Sequence, residues 1–260
     1  MPPAILEVAG LTKRFGGVVA LDEVSFTLPA GHTLGLIGPN GAGKTTLFNC
    51  ITGVLRPDRG VVTFGRDPSH ALRGAAPYEI VRLGITRTFQ NIRLFSSMTV
   101  LENVMTGAYV RTRTGLLGAV LMSAHARDEE QRSRDRAMAL LEFVGLTNEA
   151  AELAGSLPFG WQRRLEIARA LASEPSLLLL DEPAAGLNPV EKQELLQLIG
   201  GLKRRGLTLL LIEHDMQVVM PISDEVVVLD YGKVIAQGPP AHVQRDPRVI
   251  EAYLGVPTAL

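Results

Sequence analysis

The chain has 260 residues, of which 46% are apolar, so it can form a sizeable packed core in one large domain or two small ones. Lys and Arg total 26 and Asp and Glu total 27, which leaves a formal net charge of −1. This balance gives no global electrostatic reason to expect nucleic acid as the main partner, although a local basic patch stays compatible with it.

We expect neither an export signal nor a membrane span from this sequence. Residues Met1 to Glu7 lack the basic start and longer apolar stretch of a secretory signal, so no export is expected. No apolar run approaches the ~20 residues that cross a bilayer, and Leu116 to Met122 is far too short. Any role at a membrane is therefore expected to depend on partner subunits. Cys50 is the single cysteine, and we expect a buried structural thiol.

The first predicted elements are strands, followed by a strand, loop and helix unit. Leu6 to Phe26 contains short β-type runs, and a second apolar run at 24–28 predicts an antiparallel strand pair. Thr33 to Ile37 is a short apolar strand. After a glycine-rich loop, the stretch from Thr45 to Thr52 has helical character.

Helices and short buried strands alternate in the rest of the chain. Residues from about Ile80 to Leu157 are predicted to be mainly helical, and further helices are predicted at Trp161 to Ala172 and Val190 to Arg204. Leu177 to Leu180 and Leu207 to Ile212 have the pattern of fully buried strands. The alternation indicates a parallel α/β sheet that is covered on both faces.

The segment Val226 to Ala236 is predicted to form a closing hairpin. We find no internal repeat and no low-complexity linker in the sequence.

The glycine-rich loop has the spacing G-x-x-x-x-G-K-[ST] between the predicted strand and helix. Its glycines let backbone N–H groups turn around phosphate oxygens, and the following helix directs its positive N-terminus at the same anion. Lys44 is expected to contact the β- and γ-phosphates, and the Thr45 hydroxyl is expected to ligate Mg²⁺. The loop by itself predicts ATP or GTP binding, through Gly38, Pro39, Asn40, Gly41, Ala42, Gly43, Lys44, Thr45 and Thr46.

Two later strands end in residues suited to phosphate chemistry. Asp181 and Glu182 close the first buried strand, at the edge where ligands lie in open parallel sheets. There Asp181 can hold Mg²⁺ through water, and Glu182 can polarise the water that attacks the γ-phosphate. His214 follows the next buried strand and can hydrogen-bond the γ-phosphate from the same edge. A merely structural role is the alternative for all three.

Together these residues resemble the ATP-binding subunit of ABC transporters, and the likeness covers nearly the whole chain. It implies an α/β fold of the P-loop NTPase (RecA-like) type, whose parallel sheet core carries an antiparallel β subdomain and an inserted α-helical subdomain. The implied boundaries are 1–84 for the β subdomain and the first part of the core, 85–160 for the helical subdomain with an extra insertion at about 111–136, 161–225 for the second part of the core, and 226–260 for the C-terminal hairpin and tail.

The resemblance adds two ATP-binding residues within the chain. Gln90 matches a family glutamine that reaches Mg²⁺ and senses the transmembrane partner, although the sequence alone indicates only a polar loop residue. Phe15 corresponds to the aromatic residue that stacks on adenine, and a core phenylalanine is the alternative.

The family's signature loop, typically Leu-Ser-Gly-Gly-Gln, corresponds here to Leu157-Pro158-Phe159-Gly160-Trp161. Pro158 replaces the serine that contacts the opposite subunit's γ-phosphate, and Trp161 replaces the glutamine. The Gly160 backbone and the start of the next helix remain able to face that phosphate. The resemblance implies trans-subunit ATP contacts for Phe159, Gly160 and Asn188, and Asn188 stands where many members have aspartate.

A narrower likeness points to the ATPases of branched-chain amino acid importers. It lies in the segments Arg87 to Phe95, Gln162 to Arg169, Asp181 to Asn188 and Val249 to Gly255, and in the extra stretch from about Arg111 to Arg136. The expected function is therefore ATP hydrolysis coupled to solute uptake, with urea or short amides as alternative cargo.

This likeness also implies partners. They are a second ATPase subunit, identical or related, two transmembrane permease subunits, and indirectly an extracytoplasmic solute-binding protein, with no nucleic acid. The expected location is the cytoplasmic face of the inner membrane, held peripherally.

Two other functions are kept as alternatives. A soluble ABC-type ATPase acting on DNA or ribosomes generally has coiled coils, cysteine pairs or two glycine loops, which this sequence lacks. Function as a small-molecule kinase would account for the glycine-rich loop but not for Gln90, His214 and Gly160.

Overall fold

Two β-sheets form the body of the protein in a computed structural model that describes residues 3–65, 71–72, 74–111 and 124–254. The smaller sheet has the strand order β2-β1-β4, with both pairings antiparallel. Its strands are β1 (Ala4–Phe15), β2 (Val18–Pro29) and β4 (Arg59–Phe64). The predicted antiparallel pair at the start of the chain is therefore confirmed.

The larger sheet has six strands in the order β5-β6-β7-β3-β8-β9. All neighbours pair in parallel except β8 and β9, which form the predicted closing hairpin. The strands are β3 (Thr33–Ile37), β5 (Ile85–Arg87), β6 (Leu177–Asp181), β7 (Thr208–Ile212), β8 (Glu225–Asp230) and β9 (Lys233–Gly238).

Alternate side chains of the central strands pack into two separate apolar clusters. Leu178 and Leu180 of β6 belong to one cluster, whereas Leu177 and Leu179 belong to the other. Each fully buried leucine contributes ~1.5–3 kcal/mol to folding relative to an exposed one. The sheet is thus covered on both faces, as its all-apolar strands predict.

The described residues form nine α-helices, and the helices predicted at 45–52, 161–172 and 190–204 are confirmed within about two residues. They are α1 (Lys44–Ile51), α2 (Pro77–Leu83), α3 (Val100–Ala108), α4 (Ala124–Val144), α5 (Phe159–Leu171), α6 (Pro189–Arg204), α7 (Met216–Ile222), α8 (Pro240–Val243) and α9 (Pro247–Leu254), with 3₁₀ turns at Tyr109–Arg111 and Ala154–Ser156.

The expectation of a mainly helical segment from Ile80 to Leu157 holds for residues 80–83, which belong to α2, and is wrong for residues 85–98. Ile85–Arg87 forms the edge strand of the large sheet and pairs in parallel with β6, and residues 88–98 contain no helix. A strand of three residues is too short to give a periodic signal, so its partner strand decides its conformation. The extra insertion expected at about 111–136 lies partly outside the described residues, and the proposed domain boundaries remain predictions.

Two further expectations concern membranes and the thiol. Across the ranges that the structure describes, every helix is too short or too polar to cross a bilayer. Cys50 is buried, as expected, and burial raises the pKa of its thiol to about 11.

Candidate active site

The phosphate loop joins β3 to α1 and requires glycine at its tightest points. Gly38 has φ 150°, and a Cβ added there would lie 2.1 Å from the carbonyl oxygen of Leu229. Gly43 has φ 103°, and its added Cβ would lie 2.5 Å from the carbonyl oxygen of Ala20. Any larger residue would push the loop away from the sheet, because backbone atoms cannot yield as a flexible side chain does.

Lys44 closes over this loop. Its ammonium donates hydrogen bonds to the carbonyl oxygens of Gly38 at 2.6 Å and Pro39 at 2.9 Å, and the residue is only 7% exposed. Burial lowers the pKa of Lys44, while the nearby carboxylates of Glu182 and Asp181 raise it. A lysine held in this way can exchange carbonyl partners for phosphate oxygens over a short distance.

A cleft of about 320 Å³ opens beside the loop and is lined by residues from four separate parts of the chain. Gln90, from the irregular segment after β5, and Glu182, from the end of β6, face residues of the phosphate loop and α1 across it. The cleft is lined by Ala20, Asn40, Gly41, Ala42, Gly43, Lys44, Thr45, Thr46, Gln90 and Glu182.

Glu182 is held in an uncommon backbone conformation. Its φ of 46° is in the left-handed region, and its N–H donates to the carbonyl oxygen of Ile212 at 2.9 Å. Its carboxylate accepts a hydrogen bond from Gln90 Nε2 at 3.0 Å and lies 3.7 Å from His214 Nδ1. Three of the predicted residues are therefore brought together by the sheet edge.

Asp181 has a partner that the sequence analysis missed. Its Oδ2 accepts a hydrogen bond from Arg87 Nη2 at 2.6 Å, and both side chains are less than one-tenth exposed. Arg87 also donates to Asn49 Oδ1 at 2.7 Å. Because β5 and β6 are adjacent and parallel, their carboxyl ends bring the two residues together, and only knowledge of this strand order reveals the pair.

A second buried carboxylate, also missed, supports the loop after Glu182. Glu213 is fully buried, and it accepts hydrogen bonds from the N–H groups of Ala184 at 2.8 Å and His214 at 3.2 Å. Burial is the main cause that raises the pKa of Glu213. It therefore joins the segment after β6 to the segment after β7, on which His214 is exposed.

The three residues expected to contact the opposite subunit's ATP form a separate group. Phe159 is about half exposed at the start of α5, and its ring lies beside Gly186. Asn188 caps α6, because its Oδ1 accepts from the N–H groups of Val190 and Glu191 at 2.9 and 3.0 Å. A Cβ added at Gly160 would lie 2.6 Å from Glu191 Oε1, so the start of α5 abuts the start of α6.

Phe15 lies at the end of β1 with 46% of its surface exposed. The Lys13 ammonium is 5.4 Å from the centre of its ring. This exposure excludes the alternative of a core phenylalanine and leaves a ring face on which a planar ligand can stack.

The C-terminal helix reaches the phosphate loop, which sequence reasoning did not predict. Val249 packs in the core, and one turn later burial raises the pKa of Tyr253 while the nearby Gly38 backbone lowers it. The i,i+4 spacing of these two residues is the signal that could have indicated a docked helix face.

Comparison with protein families agrees with this geometry. The model of the ABC transporter family matches residues 21–185, and the model described as a branched-chain amino acid ATP-binding cassette transporter matches residues 233–259. The chain is 45% identical to the high-affinity branched-chain amino acid transport ATP-binding protein LivG of Salmonella typhimurium, over 98% of this chain and 99% of that protein. It is 44% identical to BraF of Pseudomonas aeruginosa, with the same coverage.

Comparison with solved structures also indicates an ATP-binding cassette of an ABC transporter. The ADP conformation of MJ1267, an ATP-binding cassette of an ABC transporter, superposes with a TM-score of 0.84 at 34% identity, covering 98% of this chain and all of that one. The dimeric post-hydrolysis state of the cassette MJ0796, bound to ADP and Pi, superposes with a TM-score of 0.75 at 26% identity, covering 90% of this chain and 98% of that one. The chain therefore belongs to the ABC transporter family, among its ATP-binding proteins.

Proposed function

We propose that this chain is the ATP-hydrolysing subunit of an importer for branched-chain amino acids. The observation that carries the proposal is the cleft in which Lys44, Gln90 and Glu182 meet. Such a cleft combines phosphate binding with a carboxylate able to act as general base. The cargo is inferred from the nearly full-length likeness to LivG and BraF.

The residues of the cleft fit an ATP complex with Mg²⁺. This ion prefers oxygen ligands and takes only one or two from the protein when phosphates supply others. Thr45 offers an exposed hydroxyl, and Gln90 offers its amide oxygen, since its amide nitrogen already donates to Glu182. The Asp181 carboxylate is held by Arg87, so we assign it a role through water. Bound Mg²⁺ would offset phosphate charge.

Within this site each residue has a distinct role in the proposal. Lys44 and the loop N–H groups bind the phosphates, Phe15 stacks on adenine, and His214 hydrogen-bonds the γ-phosphate. Glu182 accepts a proton from the attacking water. Gln90 orients Glu182 through their 3.0 Å hydrogen bond.

Two such subunits, identical or related, are proposed to enclose two ATP molecules. The group of Phe159, Gly160 and Asn188 would face the ATP bound by the other subunit. That the similar cassette MJ0796 forms a dimer with ADP and Pi bound supports the pairing of two subunits. ATP favours the closed dimer, and hydrolysis removes that bias, which resets two attached permease subunits. The chain would then lie peripherally on the cytoplasmic face of the membrane, with no nucleic acid bound.

The proposed function can be tested with the intact membrane complex. We expect ATP hydrolysis to be stimulated when its solute-binding protein delivers leucine, isoleucine or valine. Stimulation by urea or a short amide alone would contradict the proposed cargo. Copurification with nucleic acid, without any permease, would contradict the importer itself.

A substitution at Gly160 tests the trans-subunit contact. Gly160→Asp should place a carboxylate against the opposite phosphates and weaken ATP-driven dimerisation by about tenfold to 100-fold, measured by light scattering with a slowly hydrolysed ATP analogue. Because residue 160 abuts Glu191 in the same chain, the control is Glu191→Gln, alone and combined with Gly160→Asp. Glu191→Gln removes the charge but keeps an oxygen that can accept from the Asn188 N–H, so it should leave dimerisation intact, and Gly160→Asp should weaken it in both backgrounds. Unchanged dimerisation would show that Gly160 is not at the interface.

A further inference from the structure

Arg163 and Glu166 form an ion pair inside the protein, and neither belongs to the cleft. Both lie on α5, one turn apart, and each residue is only 1% exposed. Arg163 Nη1 donates to Glu166 Oε2 at 3.0 Å. A buried ion pair adds little net stability, because desolvation of both charges offsets their attraction. Its other hydrogen bonds therefore indicate what the pair does.

The pair holds the backbone on either side of the Phe89–Gln90 peptide bond. Arg163 donates to the carbonyl oxygens of Phe89 at 2.8 Å and Gln90 at 2.9 Å. Glu166 Oε1 accepts from the N–H of Phe89 at 3.2 Å. These three hydrogen bonds fix a segment that belongs to neither a helix nor a strand, and two of them use the planar fork of one guanidinium.

The contacts of Arg163 extend in two directions to residues with proposed roles in ATP hydrolysis. On one side, the Gln90 side chain donates to Glu182 at 3.0 Å. On the other side, the Arg163 guanidinium lies 5.7 Å from the centre of the ring of Phe159, at the start of α5, which would face the second ATP. A continuous set of contacts thus joins Phe159 to Glu182 within one subunit.

We propose that Arg163, supported by Glu166, is a positioning residue for ATP hydrolysis. It holds the Gln90 backbone in place so that the Gln90 side-chain amide keeps its hydrogen bond to Glu182. Through its contact with Phe159, it also makes the position of Gln90 depend on the position of the start of α5. A shift of α5 when Phe159 and Gly160 engage the partner's ATP then moves Gln90 relative to Glu182. This inference rests on the proposed role of Gln90.

A double-mutant cycle on kcat in the intact complex tests the proposal. Lysine keeps the charge at residue 163 but cannot donate to both carbonyl oxygens from a fixed fork. We expect Arg163→Lys to lower kcat about tenfold or more, since small misplacements at an active site are costly, with the KM for ATP changed less than about twofold. In a Gln90→Ala background, Arg163→Lys should lower kcat by less than about twofold. Arg164→Lys on the same helix, where Arg164 pairs with Glu194 near the surface, is the control and should leave kcat unchanged.

The cycle separates a positioning role from a structural one, because general loosening of the fold would act in both backgrounds. An equal fall in kcat with and without Gln90 would overturn the proposal, as would an unchanged kcat in Arg163→Lys. If Gln90→Ala alone leaves kcat unchanged, the result contradicts the proposed role of Gln90 in orienting Glu182, and it also contradicts this inference, which depends on that role. Should Arg163→Lys not fold, as judged by urea denaturation, Glu166→Gln is taken through the same cycle with the same expected outcomes.

Discussion

Replacing Glu182 with glutamine is expected to lower kcat for ATP hydrolysis by about 10²–10⁴-fold while ATP binding persists. The amide cannot accept the proton of the attacking water, but it has the size and shape of the carboxylate. It also keeps an oxygen that can accept the hydrogen bond from Gln90 Nε2. The variant should therefore bind ATP, close as a dimer and remain closed.

Three measurements check this result. Steady-state ATP hydrolysis of the assembled complex gives kcat, a fluorescent nucleotide gives affinity, and light scattering detects the closed dimer. Glu174→Gln is a matched control, because Glu174 also has a positive φ of 50° but lies before β6, whereas Glu182 follows it. It should leave kcat unchanged. Normal hydrolysis by Glu182→Gln would exclude Glu182 as the base.

The part of the site that sequence predicts best is the part encoded by adjacent residues. The segment from Gly38 to Thr46 can be recognised as a phosphate loop from its own sequence, because the glycine spacing, the turn and the start of the helix all lie within it. The ends of β6 and β7 could also be predicted, since all-apolar strands place Glu182 and His214 at one sheet edge. Gln90 needed the family resemblance, because its loop has no periodicity.

The contacts that sequence analysis missed all depend on strand order or on helix packing. The Arg87–Asp181 pair requires that β5 lies next to β6, and the Arg163 contacts require that α5 packs on the segment after β5. The cap that the Asn188 side chain makes on α6 was also missed, and its trans-subunit ATP contact stays a prediction. A cap and a ligand use the same oxygen types, so residue identity alone cannot separate the two uses.

The Arg87–Asp181 pair leads to the largest expected change in stability. Arg87→Met removes the charge at similar volume, leaves the buried Asp181 carboxylate without its ion-pair partner and removes the donor to Asn49 Oδ1. Breaking a buried ion pair from one side typically costs ~3–5 kcal/mol. We expect a loss of this size in the free energy of unfolding, measured by urea denaturation without nucleotide.

The controls separate buried charge from lost packing. Arg132→Met breaks the exposed i,i+4 pair with Asp128 and should cost less than ~1 kcal/mol. Arg87→Met combined with Asp181→Asn should recover part of the loss, because residue 181 then carries no buried carboxylate that has lost its ion-pair partner. If the double variant is as unstable as Arg87→Met, the cost comes from the lost hydrogen bond to Asn49 and from the lost contacts with Phe48 and Phe89, whose ring centres each lie 5.4 Å from the guanidinium. If Arg87→Met loses less than ~1 kcal/mol, the pair contributes no more to stability than a surface pair.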